Sequence, residues 1–256
     1  MITVKNFCYS GRVEDFTFNF FPKRCYMLLG VNGAGKSTLL NALAGQLPKR
    51  RYDGSIVLNK HYISVLSSKV RAQYIAMLSQ KTSVMFNYKV KDIIRMGGYC
   101  HGKKSKQQAH LLSDIAEALE LVKYIDNNYH QLSLGQQQRV QLARVIFQLL
   151  ANQDPLAERW LLLDEHVANL DIYYQLQSFK LIKQLIAENH IGVIAAVHDV
   201  NLAGQFGDRL ILLDKGRMIK SGTAKTVLLS EEFKQSFQIG VNYIDHQGVY
   251  VPQLSH

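Results

Sequence analysis

The chain has 256 residues, 47% of them hydrophobic, with a formal net charge of +10 at pH 7. That length and apolar content suit one well-packed α/β domain and exclude a disordered or fibrous chain. Its three cysteines, Cys8, Cys25 and Cys100, are widely spaced and odd in number, which argues against a disulfide framework or a zinc site and fits a reducing compartment.

The first residues, MITVKNFCYSGR, lack the basic start and long apolar core of a secretory signal. No run of about 18 uninterrupted apolar residues follows anywhere, so a membrane span is not expected. Next come alternating short apolar runs and segments of helical period, the pattern of an α/β fold with a largely parallel sheet. CYMLLG (25–30), YIAMLS (74–79), WLLLD (160–164) and GVIAAVH (192–198) read as strands that each lead into polar residues. In open α/β sheets, ligands collect where the carboxyl ends of such strands emerge. Between about 87 and 158 the stretches KQQAHLLSDIAEALELV and LGQQQRVQLARVIFQLL predict amphipathic helices with no strand between them, a helical insertion in a single domain spanning 1–256. LILLDKGRMIKSG (210–222) reads as a hairpin turning at Asp-Lys-Gly, and GVYVPQL (248–254) as a terminal strand. The basic clusters PKRR (48–51) and GKKSK (102–106) are short, carry no interleaved aromatics, and read as solvated surface. No nucleic-acid partner is expected.

GVNGAGKST (30–38) fits G-x-x-x-x-G-K-[ST] in full, after a predicted strand and at the start of a predicted helix that should stop at Gly45 or Pro48. The run Gly30, Asn32, Gly33, Ala34 and Gly35 lets backbone N–H groups curl around phosphates, and the helix start adds its partial positive charge. Lys36 places a cation between the β- and γ-phosphates of ATP, while Ser37, followed by Thr38, offers a hard oxygen to Mg²⁺. A second candidate is LLLDEHVANLD (161–171), an apolar run that stops on two adjacent carboxylates. Asp164 can hold the Mg²⁺ and Glu165 can polarise an attacking water as general base. Acidic strand ends also occur for solubility alone; the phosphate loop is what favours the catalytic reading.

LSLGQQQRVQLARV (132–145), shortly before LLLDEHVANLD, resembles the signature helix of ATP-binding cassette (ABC) ATPases, usually LSGGQ. The motif order resembles the family's as well: GVNGAGKST, Gln80 in AMLSQ, the signature, Asp164-Glu165, Asp171 in NLD, and His198 in AAVHD. The resemblance implies a P-loop NTPase (RecA-like) core of ABC type with a helical subdomain. It also implies that Gln80 senses Mg²⁺ and the attacking water, and that His198 contacts the γ-phosphate and holds Glu165 and that water. Ser133, Gly135 and Gln136 would present donors to a γ-phosphate bound by another subunit, Asp171 would bridge to that subunit's phosphate loop, and Tyr9 would stack on adenine, with Phe7 and Arg12 as alternatives. With one phosphate loop per chain, the implied assembly is a head-to-tail homodimer closing on two ATP molecules, peripheral to the cytoplasmic face of a membrane.

Two positions depart from the family pattern: Leu134 replaces the usual Gly of the signature, and His166 stands where Pro is usual after the catalytic Glu. Slower or more pH-dependent hydrolysis is expected from them. LSQKTSVMFNYKVKDIIRMGGYCHG (78–102) and the extra loop QLLANQDPLAERW resemble importer ATPases for haem, iron-siderophores and vitamin B12, with haem favoured. Such a subunit would serve transmembrane permease subunits, docking a permease helix near 82–100, and indirectly a substrate-binding protein. A nucleic-acid maintenance ATPase would need a long coiled-coil insertion or a second cassette, and a small-molecule kinase would not need the signature, Asp171 and His198 in order. A non-hydrolysing nucleotide-gated module is suggested by Leu134 and His166 but opposed by Glu165, His198 and Gln80.

Overall fold

A computed structural model describes the chain except for residues 81–83, 103–105, 153, 155, 166–169, 245–248 and 255–256. The described residues form two compact units, 1–66 with 192–256 and 67–191. The first opens with β1 (Ile2–Tyr9), β2 (Val13–Phe20), β3 (Cys25–Leu29), α1 (Lys36–Leu43), β4 (Tyr52–Leu58) and β5 (His61–Tyr62). The second holds α2 (Ser68–Ala72), β6 (Ile75–Leu78), α3 (Val90–Met96), α4 (Lys106–Ala118), α5 (Leu134–Leu150), β7 (Arg159–Asp164) and α6 (Ile172–Glu188). The chain then returns to the first with β8 (Ile191–Ala196), α7 (Val200–Phe206), β9 (Arg209–Asp214), β10 (Arg217–Gly222), α8 (Ala224–Leu228), α9 (Glu231–Phe237), β11 (Ile239–Ile244) and β12 (Val249–Leu254).

In the first unit the strands run β10-β9-β3-β8, with β3 parallel to both β8 and β9. Every residue of β3 and β8 is buried, which is why both read as unbroken apolar runs: a strand covered on two faces has no solvent side to alternate with. β9 and β10 form the expected hairpin, turning through Lys215 and Gly216, both at positive φ, the two-residue turn whose twist matches its strands.

The same unit carries an antiparallel sheet, β2-β1-β4-β5, that the apolar patterning did not predict. Its strands do not alternate cleanly because they are bulged. The β1–β2 register slips around Asn6 and Asp15, both left-handed, so that Val13, Phe16 and Phe20 point inward at a spacing no regular strand would show. Gly54 in β4 is required there: a Cβ would lie 2.2 Å from the Asn6 carbonyl oxygen.

In the second unit β6 and β7 are parallel, with Ile75 opposite Trp160 and Leu78 opposite Leu163. Between them the described residues form helices, turns and a single bridge, Lys89 to Asn128. Helix α5 packs closely on the turn that follows α3, since a Cβ on Gly97 would lie 2.2 Å from the Arg144 carbonyl oxygen. β7 is buried along its whole length, including Arg159, whose guanidinium donates to the Leu149 carbonyl at 2.9 Å and the Ala157 carbonyl at 3.3 Å.

Candidate functional site

The first unit presents the phosphate loop at the carboxyl end of β3. Gly33 and Gly35 sit at φ 83° and 103°, left-handed values that bend the chain into a cradle and that side chains disfavour. Gly35 is also sterically required, because a Cβ would lie 2.6 Å from the Arg12 carbonyl oxygen in the β1–β2 turn. Gly35 is the N-cap of α1 and has no side chain to satisfy the first-turn amides, the arrangement in which a phosphate serves as the cap. Lys36 is 5% exposed, and its ammonium donates to the Gly30 carbonyl at 2.6 Å and the Val31 carbonyl at 3.3 Å, which holds a positive charge across the cradle. From the outside the loop is braced by the β9–β10 turn: Gly216 N–H donates to the Ala34 carbonyl, and Glu14 N–H to the Gly216 carbonyl.

His198 follows β8. The register pairs Leu28 with Ala196, so β8 ends beside the strand that leads into the loop, two residues before His198. Tyr9 ends β1, half-buried, and its carbonyl accepts from the Arg12 N–H at 2.9 Å, in the turn that presses on Gly35. Phe7 is fully buried against Tyr52, which removes it as a stacking platform.

The second unit applies the same register logic. Leu78 faces Leu163, so two residues further on Gln80 faces Glu165, and the Gln80 amide does donate to the Glu165 carboxylate at 2.7 Å. Glu165 adopts φ 52°, left-handed and rare for a side-chain-bearing residue, so the chain turns sharply as it leaves β7. Such a conformation costs on the order of 1–3 kcal/mol and is held only where the surroundings impose it, most often at functional sites. Asp164, the last residue of β7, is 5% exposed. His166 lies outside the described residues.

Ser133 caps α5. Its hydroxyl accepts from the Gln136 N–H at 3.3 Å while the Gln136 side-chain oxygen accepts from the Ser133 N–H at 2.9 Å, a reciprocal box. The Gln136 amide nitrogen donates to the Tyr124 hydroxyl, so both ends of this side chain are engaged within its own unit. Leu134, at the first position of α5, is 70% exposed. Asp171 caps α6, accepting from the Tyr174 N–H at 3.0 Å.

Sequence reasoning missed a cluster behind the signature helix. Glu120 accepts from the hydroxyls of Tyr173 and Tyr174, while the buried Arg139 guanidinium stacks 3.9 Å from the Tyr174 ring centre. Bonding to the Glu120 carboxylate raises the Tyr174 phenol above its usual range. The signal was the i, i+1 tyrosine pair just after Asp171, legible only once α5 and α6 are seen packed.

Ser37 in the first unit, and Gln80 and Asp164 in the second, each carry a hard oxygen of the kind that suits Mg²⁺. Among the described residues no three His, Cys, Asp or Glu side chains are placed to hold a metal by themselves. Among the same residues no helix is long and apolar enough to cross a membrane.

The family described as ABC transporter matches residues 13–168. The chain is 33% identical over 255 residues to the hemin import ATP-binding protein HmuV of Hydrogenovibrio crunogenus, covering 96% of each chain. To the protein of the same name from Bordetella pertussis it is 36% identical over 235 residues, covering 91% of this chain and 89% of that one. A solved dimeric ATP-binding cassette bound to ADP and phosphate shares the fold with a TM-score of 0.74, at 24% identity and covering 88% of this chain and 99% of that one.

Proposed function

The chain belongs to the ABC transporter family of ATP-binding proteins, and on that premise we propose that it hydrolyses ATP to drive import of haem. What supports hydrolysis is the Gln80–Glu165 hydrogen bond at 2.7 Å, which fixes the plane of a carboxylate at the end of a buried strand. In the reaction Glu165 accepts the proton of a water that attacks the γ-phosphorus, and Lys36 neutralises charge building on the phosphate oxygens. His198 bonds a γ-phosphate oxygen and holds that water in line. Ser37, Asp164 and Gln80 would hold Mg²⁺, which would supply further charge neutralisation on the phosphates. The loop amides from Asn32 to Thr38 bind and orient the triphosphate, and Tyr9 stacks on adenine.

One chain carries Lys36 and Ser133 but only one copy of each. Two chains arranged head to tail would complete each site, Ser133, Gly135, Gln136 and Asp171 of one serving the nucleotide of the other. What supports the cargo is the hemin import named in both bacterial relatives. The permease is proposed to seat a cytoplasmic helix in the second unit, where Arg95, Gly98, Tyr99, Gln108 and Phe147 line a pocket of about 260 Å³ and Met85, Phe86 and Tyr99 are exposed. A substrate-binding protein would act only through that permease. The subunit would then sit at the cytoplasmic face of the membrane.

Vesicles containing the purified subunit with a haem, a siderophore or a cobalamin permease test the proposal. ATP-dependent haem uptake with the first is expected. Stimulated hydrolysis only with one of the other two reassigns the cargo, and phosphate release with none removes the importer reading.

A further inference from the structure

Helix α7 begins two residues after His198, so whatever fixes α7 along its axis also fixes His198. At its start Asp199 caps the helix, accepting from the N–H groups of Asn201 at 2.7 Å and Leu202 at 3.1 Å. At its end Gly207 packs so closely that a Cβ would lie 2.8 Å from Met27 Cγ in β3. Across its middle lies β12. Tyr250 N–H donates to the Asn201 side-chain oxygen at 2.8 Å, and the Tyr250 ring lies so close over Gly204 that a Cβ there would fall 2.4 Å from two ring carbons. Tyr250 is 5% exposed, its ring centre is 4.7 Å from that of Tyr243, and the Lys225 ammonium stands 4.1 Å over Tyr243.

A two-stranded hairpin has little stability of its own, so β11–β12 is ordered by this docking. The phosphate chemistry makes no use of it. We propose that the C-terminal hairpin is a clamp that positions His198, with Asn201, Gly204 and Tyr250 as positioning residues acting through α7. The inference rests on the reading that His198 serves hydrolysis. The Tyr250 ring on Gly204 and its N–H bond to the Asn201 side chain hold the middle of α7, and a displacement of about 1 Å in a positioned group can cost up to 10²-fold in rate.

The test uses the full chain and follows kcat and KM for ATP with Mg²⁺, the thermal midpoint, and the His198 ring signals by NMR. Gly204→Ala is expected to lower kcat about tenfold with KM changed by less than about twofold, and to shift the His198 ring signals. Tyr250→Ala, which removes the clamping ring and keeps the backbone donor, should lower kcat and shift the His198 signals in the same direction. In a His198→Ala background Gly204→Ala should have no further effect. Should Gly204→Ala fail to fold, Asn201→Ala carries the same comparisons, because it removes the acceptor and adds no bulk. A variant that lowers the thermal midpoint but leaves kcat and the His198 signals unchanged overturns the clamp, as does an equal loss of rate with His198 already removed. If the wild type hydrolyses no ATP, the functional reading falls while the His198 signals still decide the clamp.

Discussion

Glu165 shows what one residue can carry. It is left-handed at φ 52°, follows a strand buried along its length, and accepts from Gln80 at 2.7 Å. Replacing it by Gln keeps the shape and removes the proposed base. Glu165→Gln is therefore expected to slow phosphate release by about 10²–10⁴-fold while ATP binding, read by equilibrium dialysis, persists. Gln80→Ala releases the carboxylate plane without removing the base, and a loss of about tenfold in kcat with little change in KM is expected from steady-state assays. Leu134 is 70% exposed, so it contributes little to the folded monomer. Leu134→Gly should leave the thermal midpoint nearly unchanged yet lower the ATP concentration needed for dimerisation, measured by light scattering; unchanged dimerisation would remove Leu134 from the interface. All three positions were legible as motif residues. What could not be read was the direct Gln80–Glu165 contact, because a separation of 85 positions hides a parallel register that only pairing of β6 with β7 creates.

Among the elements, the phosphate loop depends on its neighbours as much as on its own glycines. Gly33 has open space where a Cβ would go, so only its φ of 83° opposes substitution. Gly35 meets the Arg12 carbonyl as well as needing φ 103°. Gly35→Ala should therefore abolish ATP binding at concentrations that still saturate Gly33→Ala, a difference that nucleotide titration resolves. Ser133→Ala removes one half of the reciprocal box at the start of α5 and is expected to cost about 1 kcal/mol of stability by denaturant unfolding. The buried strands β3, β7 and β8 were legible because a strand covered on both faces reads as an apolar run. The sheet β2-β1-β4-β5 was not, because bulges at Asn6 and Asp15 shift its inward positions out of period.

At the scale of the whole molecule, several of the cations behind the net charge of +10 have structural partners. Lys49, from the basic cluster at 48–51, donates to the Tyr52 and Gly54 carbonyls and stands 4.4 Å over the Tyr52 ring. Arg209 stacks over Phe18, and Arg139 over Tyr174. A head-to-tail pair of chains predicts that ATP traps a Glu165→Gln dimer, seen by size-exclusion chromatography with light scattering, and that Lys36→Ala abolishes it. ATP can favour the closed pair only by its difference in affinity for the closed and open forms, so a Glu165→Gln chain that stays monomeric with ATP saturating would rule out the composite site.

The order and chemistry of the motifs came from the sequence alone, because a phosphate cradle, a strand-end carboxylate pair and a helix-capping serine each need particular residues at fixed local spacing. Which strands lie side by side was decided only by tertiary structure. Parallel pairing joins segments far apart in the chain, and it is that pairing that brings the end of β8 beside β3 and sets Gln80 against Glu165. The seat of Tyr250 over Gly204 belongs to the same class: neither residue signals the other locally, and the fit exists only once α7 and β12 pack.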